Sequence, residues 1–81
     1  SGGITGTTVD LRMIFSAALK ANATSIMIAH NHPSGNTRPS EADKYMTTKI
    51  RQAGELLDIK LMDHLIITSE SYYSFIDDGA L

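Results

Sequence analysis

With 81 residues and a formal charge of −2, the chain suits one small domain that buries about 60% of its unfolded surface. It is too acidic for a domain-wide nucleic-acid footprint. The absence of cysteine excludes disulfides and thiolate metal sites, so any metal must rest on nitrogen and oxygen.

No apolar run approaches a membrane span and no signal peptide is visible, which points to a soluble, cytoplasmic protein. Lys44, Lys49 and Arg51 make a short basic stripe that a solvated helix face explains. Ser1 to Thr8 reads as a loop, and its glycines lack the spacing of a phosphate-binding loop. Asp10 then predicts the N-cap of a helix running to about Ala21. In it Leu11, Ile14, Phe15, Ala18 and Leu19 recur at steps of three and four and form one core-facing stripe. Asn22 suits the end of that helix.

The run Thr24-Ser25-Ile26-Met27-Ile28-Ala29 predicts a short buried strand, apolar on both faces and therefore central and covered on both sides. Alternation places Ile26, Ile28, His30 and His32 on one side and Met27, Ala29 and Asn31 on the other. The two imidazoles leave the same face about 6–7 Å apart by strand rise. Pro33 cannot donate to a ladder and holds His32 extended, so pairing should stop there. Ser34-Gly35-Asn36 is a turn cluster, after which Pro39-Ser40 opens a helix with Ser40 as N-cap. Asp43, in the first turn, can fold back toward the histidines. His30, His32 and Asp43 thus make a zinc-type ligand set with a fourth position left for water, the pattern of a catalytic site. Two structural alternatives remain at this point: Ser40-x-x-Asp43 is also a capping-box pattern, and a histidine pair at a strand end can simply be solvated.

From Glu41 to about Leu57 the positions Ala42, Tyr45, Met46, Ile50, Ala53 and Leu57 hold a 3.6-residue period, read as core. Gly54 inside that helix costs about 1 kcal/mol relative to Ala unless close packing requires it. Asp58 to Thr68 predicts a second strand, with Leu61, Leu65 and Ile67 on one face and Met62 and Ile66 on the other. Asp63-His64 interrupts it. His64 either orients a metal ligand from behind or is a core histidine with its nitrogens satisfied. Ser69 is expected to cap a short helix from Glu70 to about Ile76, its Tyr72, Tyr73 and Phe75 covering a sheet edge. Strands between helices give an α/β layered domain.

His30-x-His32, seven residues and then Ser40-x-x-Asp43 resembles the JAMM (JAB1/MPN/Mov34) metalloenzyme motif. The fuller string His30-Asn31-His32-Pro33-Ser34-Gly35, with Pro39-Ser40, Asp43 and Asp63-His64-Leu65-Ile66, is similar to the bacterial RadC group across essentially the whole chain. The resemblance implies a three-layer α-β-α fold of the cytidine-deaminase-like JAB/MPN type, with a mixed sheet flanked by helices. It implies a zinc-dependent hydrolase cleaving an amide or isopeptide bond in a peptide or protein substrate. His30, His32 and Asp43 would be ligands and Ser40 the oxyanion donor. In the JAMM pattern a glutamate on an upstream strand moves the proton, and residues 1–29 contain no Glu. The chain is therefore expected to be the C-terminal part of a longer domain, residues 1–81 forming one RadC-like piece that lacks N-terminal strands. An open sheet edge would leave it marginal or homo-oligomeric alone. The competing expectation is a non-catalytic DNA- or protein-binding module. DNA repair is attached to the RadC name, and the acidic charge does little to support it.

Overall fold

The computed structural model describes residues 10–81, so the loop expected over Ser1–Thr8 lies outside the described residues. Helix α1 spans Leu11–Lys20 and begins as expected, the Asp10 carboxylate accepting from the Arg12 amide. It closes in a Schellman arrangement: the Ala23 amide donates to the Ala18 carbonyl and the Asn22 amide to that of Leu19. Asn22 takes the left-handed conformation just past the C-cap Ala21, a backbone shape its short polar side chain tolerates. Strand β1 (Ser25–Asn31), helix α2 (Glu41–Leu57), strand β2 (Lys60–Ile67) and strand β3 (Tyr72–Ser74) follow.

The sheet order is β1-β2-β3, with β1 parallel and β3 antiparallel to β2. This is the expected α/β class with a mixed sheet. Both helices feed one core on one face of it, where Phe15 and Ala18 of α1 meet Ile50 of α2 and Ile59 and Leu61. Among the described residues β1 is an edge strand and not the covered central strand expected, and Met27 on its outward face is 60% exposed. The central strand is β2. No described helix is long and apolar enough to cross a membrane.

Four details differ from the periodicity reading. On α1, Leu19 is exposed, because the core needs only the narrower strip through Phe15 and Ala18. On α2 the buried face is Asp43, Thr47, Ile50 and Gly54, while Ala42, Tyr45 and Leu57 are exposed. The inward face is rotated relative to the apolar stripe because two of its members are polar and serve the site described below. On β2 the register passes from Ile26–Leu61 to Met27–Asp63, so Met62 is the extra residue of a β-bulge and resets the alternation. Leu61, His64 and Ile66 therefore face the core together, contrary to the faces expected. Finally, residues 70–76 are not a helix. Tyr72–Ser74 pairs with Leu65–Ile67, and Asp63 organises the turn after it. Its carboxylate accepts from the Ser74 hydroxyl at 2.5 Å and the Ile76 amide at 3.0 Å. Long-range pairing with β2 outcompetes the local helix start that Ser69 offers. Phe75, fully buried, lies in register beside His64.

Candidate metal centre

His30 arrives on the inward face of β1, half-buried, as the alternation requires. His32 follows one step past the strand, its amide still donating to the Ile67 carbonyl at 3.1 Å. The chain then turns: the Gly35 amide returns to the His32 carbonyl with Gly35 at φ 85°, a shape suited to glycine. Asn36 closes the loop on His32, whose Nδ1 lies 2.8 Å from the Asn36 carbonyl. Only an N–H can face that oxygen, so Nδ1 carries a proton.

Asp43 is the centre of the cluster and is 2% exposed. Its Oδ1 lies 3.2 Å from His30 Nε2 and its Oδ2 3.1 Å from His32 Nε2. One ligand atom from each of the three residues falls within 4.8 Å of the others. The capping box expected as an alternative is also present: the Ser40 hydroxyl accepts from the Asp43 amide at 3.0 Å, and the Ser40 amide donates to Asp43 Oδ2 at 2.7 Å. The cap thus holds the carboxylate where the imidazoles converge. Burial pushes the Asp43 carboxyl up, and the hydrogen bonds with Ser40 lead the opposing causes, leaving the group below the usual carboxylate range.

His64 is fully buried behind His30, its Nε2 2.9 Å from His30 Nδ1 and its Nδ1 2.6 Å from the Thr47 hydroxyl. Its nitrogens are satisfied in the core, one by Thr47 and the other by His30. Phe75 stacks on its ring at 4.7 Å and 9°. Thr47 itself was not foreseen; its spacing of four from Asp43 on one helix face was the available signal. Glu41 is exposed and pairs with Lys44 at 3.2 Å, and Glu70 is exposed on the β2–β3 turn. Among the described residues no glutamate reaches the cluster.

Burial lowers His30, helped by the neighbouring His32 charge and opposed by Asp43. Burial likewise pushes His64 down to about 4. A lowered histidine contributes stability that is fully present above its unfolded pKa near 6.5 and is lost as pH falls toward the folded value. Metal-free protein is therefore expected to lose about 3 kcal/mol between pH 7 and pH 4 through His64 alone, at 1.36 kcal/mol per unit. Urea unfolding across that range checks this, with His64→Asn as the non-titrating control. A variant whose stability falls as steeply as wild type would show that His64 is not the group responsible.

Two imidazole nitrogens facing one buried carboxylate suit a shared divalent cation. The donor set is nitrogen and oxygen, within the range zinc accepts. The family description RadC-like JAB domain matches residues 1–80. The chain is 56% identical over 78 residues to a UPF0758 protein of Flavobacterium johnsoniae, covering 96% of this chain and 34% of that protein. It is 48% identical over 80 residues to a UPF0758 protein of Pasteurella multocida, covering 99% and 36%. A UPF0758 protein of Escherichia coli is 46% identical over 81 residues, covering 100% of this chain and 51% of its own length. The chain thus spans between about a third and a half of these relatives. Its motif, its α/β sheet and these matches agree: it belongs to the RadC-like JAB domain family.

Proposed function

We propose that the chain carries the metal centre of a zinc-dependent hydrolase of the JAMM type, which cleaves an amide or isopeptide bond. The observation that carries this is the convergence of His30 Nε2, His32 Nε2 and the Asp43 carboxylate, three ligands with solvent access on the histidine side. A cation bound there would supply Lewis acidity and lower the pKa of a water molecule to about 7. Ser40 supports the reading as the donor to a developing oxyanion. Its oxygen accepts from the Asp43 amide, and among the described residues no acceptor is assigned to its hydroxyl proton. The general base is not among the described residues, so hydrolysis by this chain alone should run about 10²–10⁴-fold below that of a longer protein supplying one.

Elemental analysis of the purified chain is expected to find one divalent cation per molecule, lost in His32→Ala. Equal metal content in the two proteins would remove the reading. That, among the described residues, no glutamate reaches the site favours a second reading, a non-catalytic module that binds DNA or protein. Metal-free His30→Ala protein that binds duplex DNA as wild type does, with affinity falling steeply in salt, would favour it.

A further inference from the structure

We propose that Thr47, acting through His64, is a positioning residue that holds His30 in the tautomer able to ligate a metal ion. The proposal rests on the metal-centre reading above and adds to it the part of the core that orients the ligand. Thr47 is buried on α2. Its Oγ1 lies 2.8 Å from the Asp43 carbonyl oxygen and 2.6 Å from His64 Nδ1.

Counting protons gives the chain a direction. A carbonyl oxygen has no proton to give, so the single hydroxyl proton of Thr47 goes to Asp43. Thr47 Oγ1 must then accept, and His64 Nδ1 must carry an N–H. A neutral imidazole has only one such proton, so His64 Nε2 is an acceptor. His30 Nδ1, 2.9 Å away, is therefore the donor, and His30 Nε2 presents a lone pair toward Asp43 Oδ1. Reversing the chain would set the Thr47 and Asp43 oxygens against each other without a proton between them. It would also place an N–H on the His30 nitrogen that a metal needs.

The chain links the backbone of one ligand residue to the side chain of another. It starts at the Asp43 carbonyl on α2, crosses to His64 on β2 and ends at His30 on β1. The stack of Phe75 on His64 fixes the plane of the middle ring. The β-bulge at Met62 turns His64 to this face. Orientation of a ligating histidine through its other nitrogen is worth about 10–100-fold in metal affinity where such partners have been removed.

The test compares wild type, Thr47→Val, which removes the hydroxyl at nearly constant volume, and Thr47→Ser, which keeps it. Two-bond proton–nitrogen spectra of the imidazoles in metal-free protein read the tautomer, and chelator competition reads zinc affinity. Wild type and Thr47→Ser are expected to hold the proton of His30 on Nδ1. Thr47→Val should shift it toward Nε2 and weaken zinc binding about 10–100-fold. A wild-type spectrum with the proton on Nε2 overturns the proposal even if Thr47→Val fails to fold. So does a folded Thr47→Val with wild-type tautomer and affinity. Wild-type protein with the Nδ1 proton but no zinc uptake overturns the metal-centre reading itself, a signature distinct from either.

Discussion

Zinc at about a thousand times its dissociation constant is expected to stabilise the protein against unfolding by about 4 kcal/mol, and Asp43→Asn is expected to erase that increment. Asp43 is the one candidate ligand that faces both imidazoles, at 3.2 Å and 3.1 Å, and the amide of asparagine is neutral and a poor metal ligand. Without metal the same substitution should act in the opposite direction. In the wild-type protein a carboxylate oxygen faces the lone pair of His30, whereas the asparagine NH₂ can donate to it while the remaining oxygen keeps the Ser40 amide. Stability in chelator should therefore hold or rise by about 1 kcal/mol. Urea unfolding with zinc and with chelator measures both numbers. If Asp43→Asn retains the full zinc increment, Asp43 is not a ligand.

Replacing Gly54 by Ala should destabilise the protein by about 3 kcal/mol, the upper part of the range for overpacking a close-packed site. In most helix interiors the same change is favourable by about 0.5–1 kcal/mol, because alanine restricts the unfolded chain. Here a methyl group would collide with the Ile59 carbonyl oxygen, while the Phe15 ring, its Cε1 3.8 Å away, would be in ordinary contact. The obstacle is backbone and cannot swing aside. The Ile59 amide donates to the Gly54 carbonyl at 2.8 Å, so the end of α2 and the approach to β2 are drawn together at this residue. Ile59 itself is buried in the core. Equilibrium unfolding in urea gives the answer, and a more stable Gly54→Ala protein would mean that this approach is not tight in solution.

The clustering of His30, His32 and Asp43 was legible because its geometry is local. Alternation carries His30 and His32 to one face, Pro33 and Gly35 turn the chain, and the Ser40 cap fixes Asp43, all within one strand–loop–helix. What was not legible depends on partners distant in sequence. The faces of β2 were misread because the bulge at Met62 exists only through pairing with β1. Residues 72–74 looked helical because the carboxylate that organises their turn, Asp63, lies on another strand. β1 was expected to be covered on both sides because its composition is apolar, yet composition does not say where the helices pack. Tyr45 and Leu57 fit the apolar period of α2 and still face solvent. The inward positions went to Asp43 and Thr47, and the contact of Thr47 with His64 on β2 is one that only the fold reveals.

That locality bears on how the molecule assembles. All three candidate ligands lie between His30 and Asp43, whereas the sheet must join Ser25 to Lys60 across the intervening helix. Closing the short segment costs less chain entropy than closing the long one, the difference growing with the logarithm of loop length. A cation bound by this cluster would gather its ligands before the parallel ladder zips, and its influence would fall on the rate of folding as well as on the lifetime of the folded state.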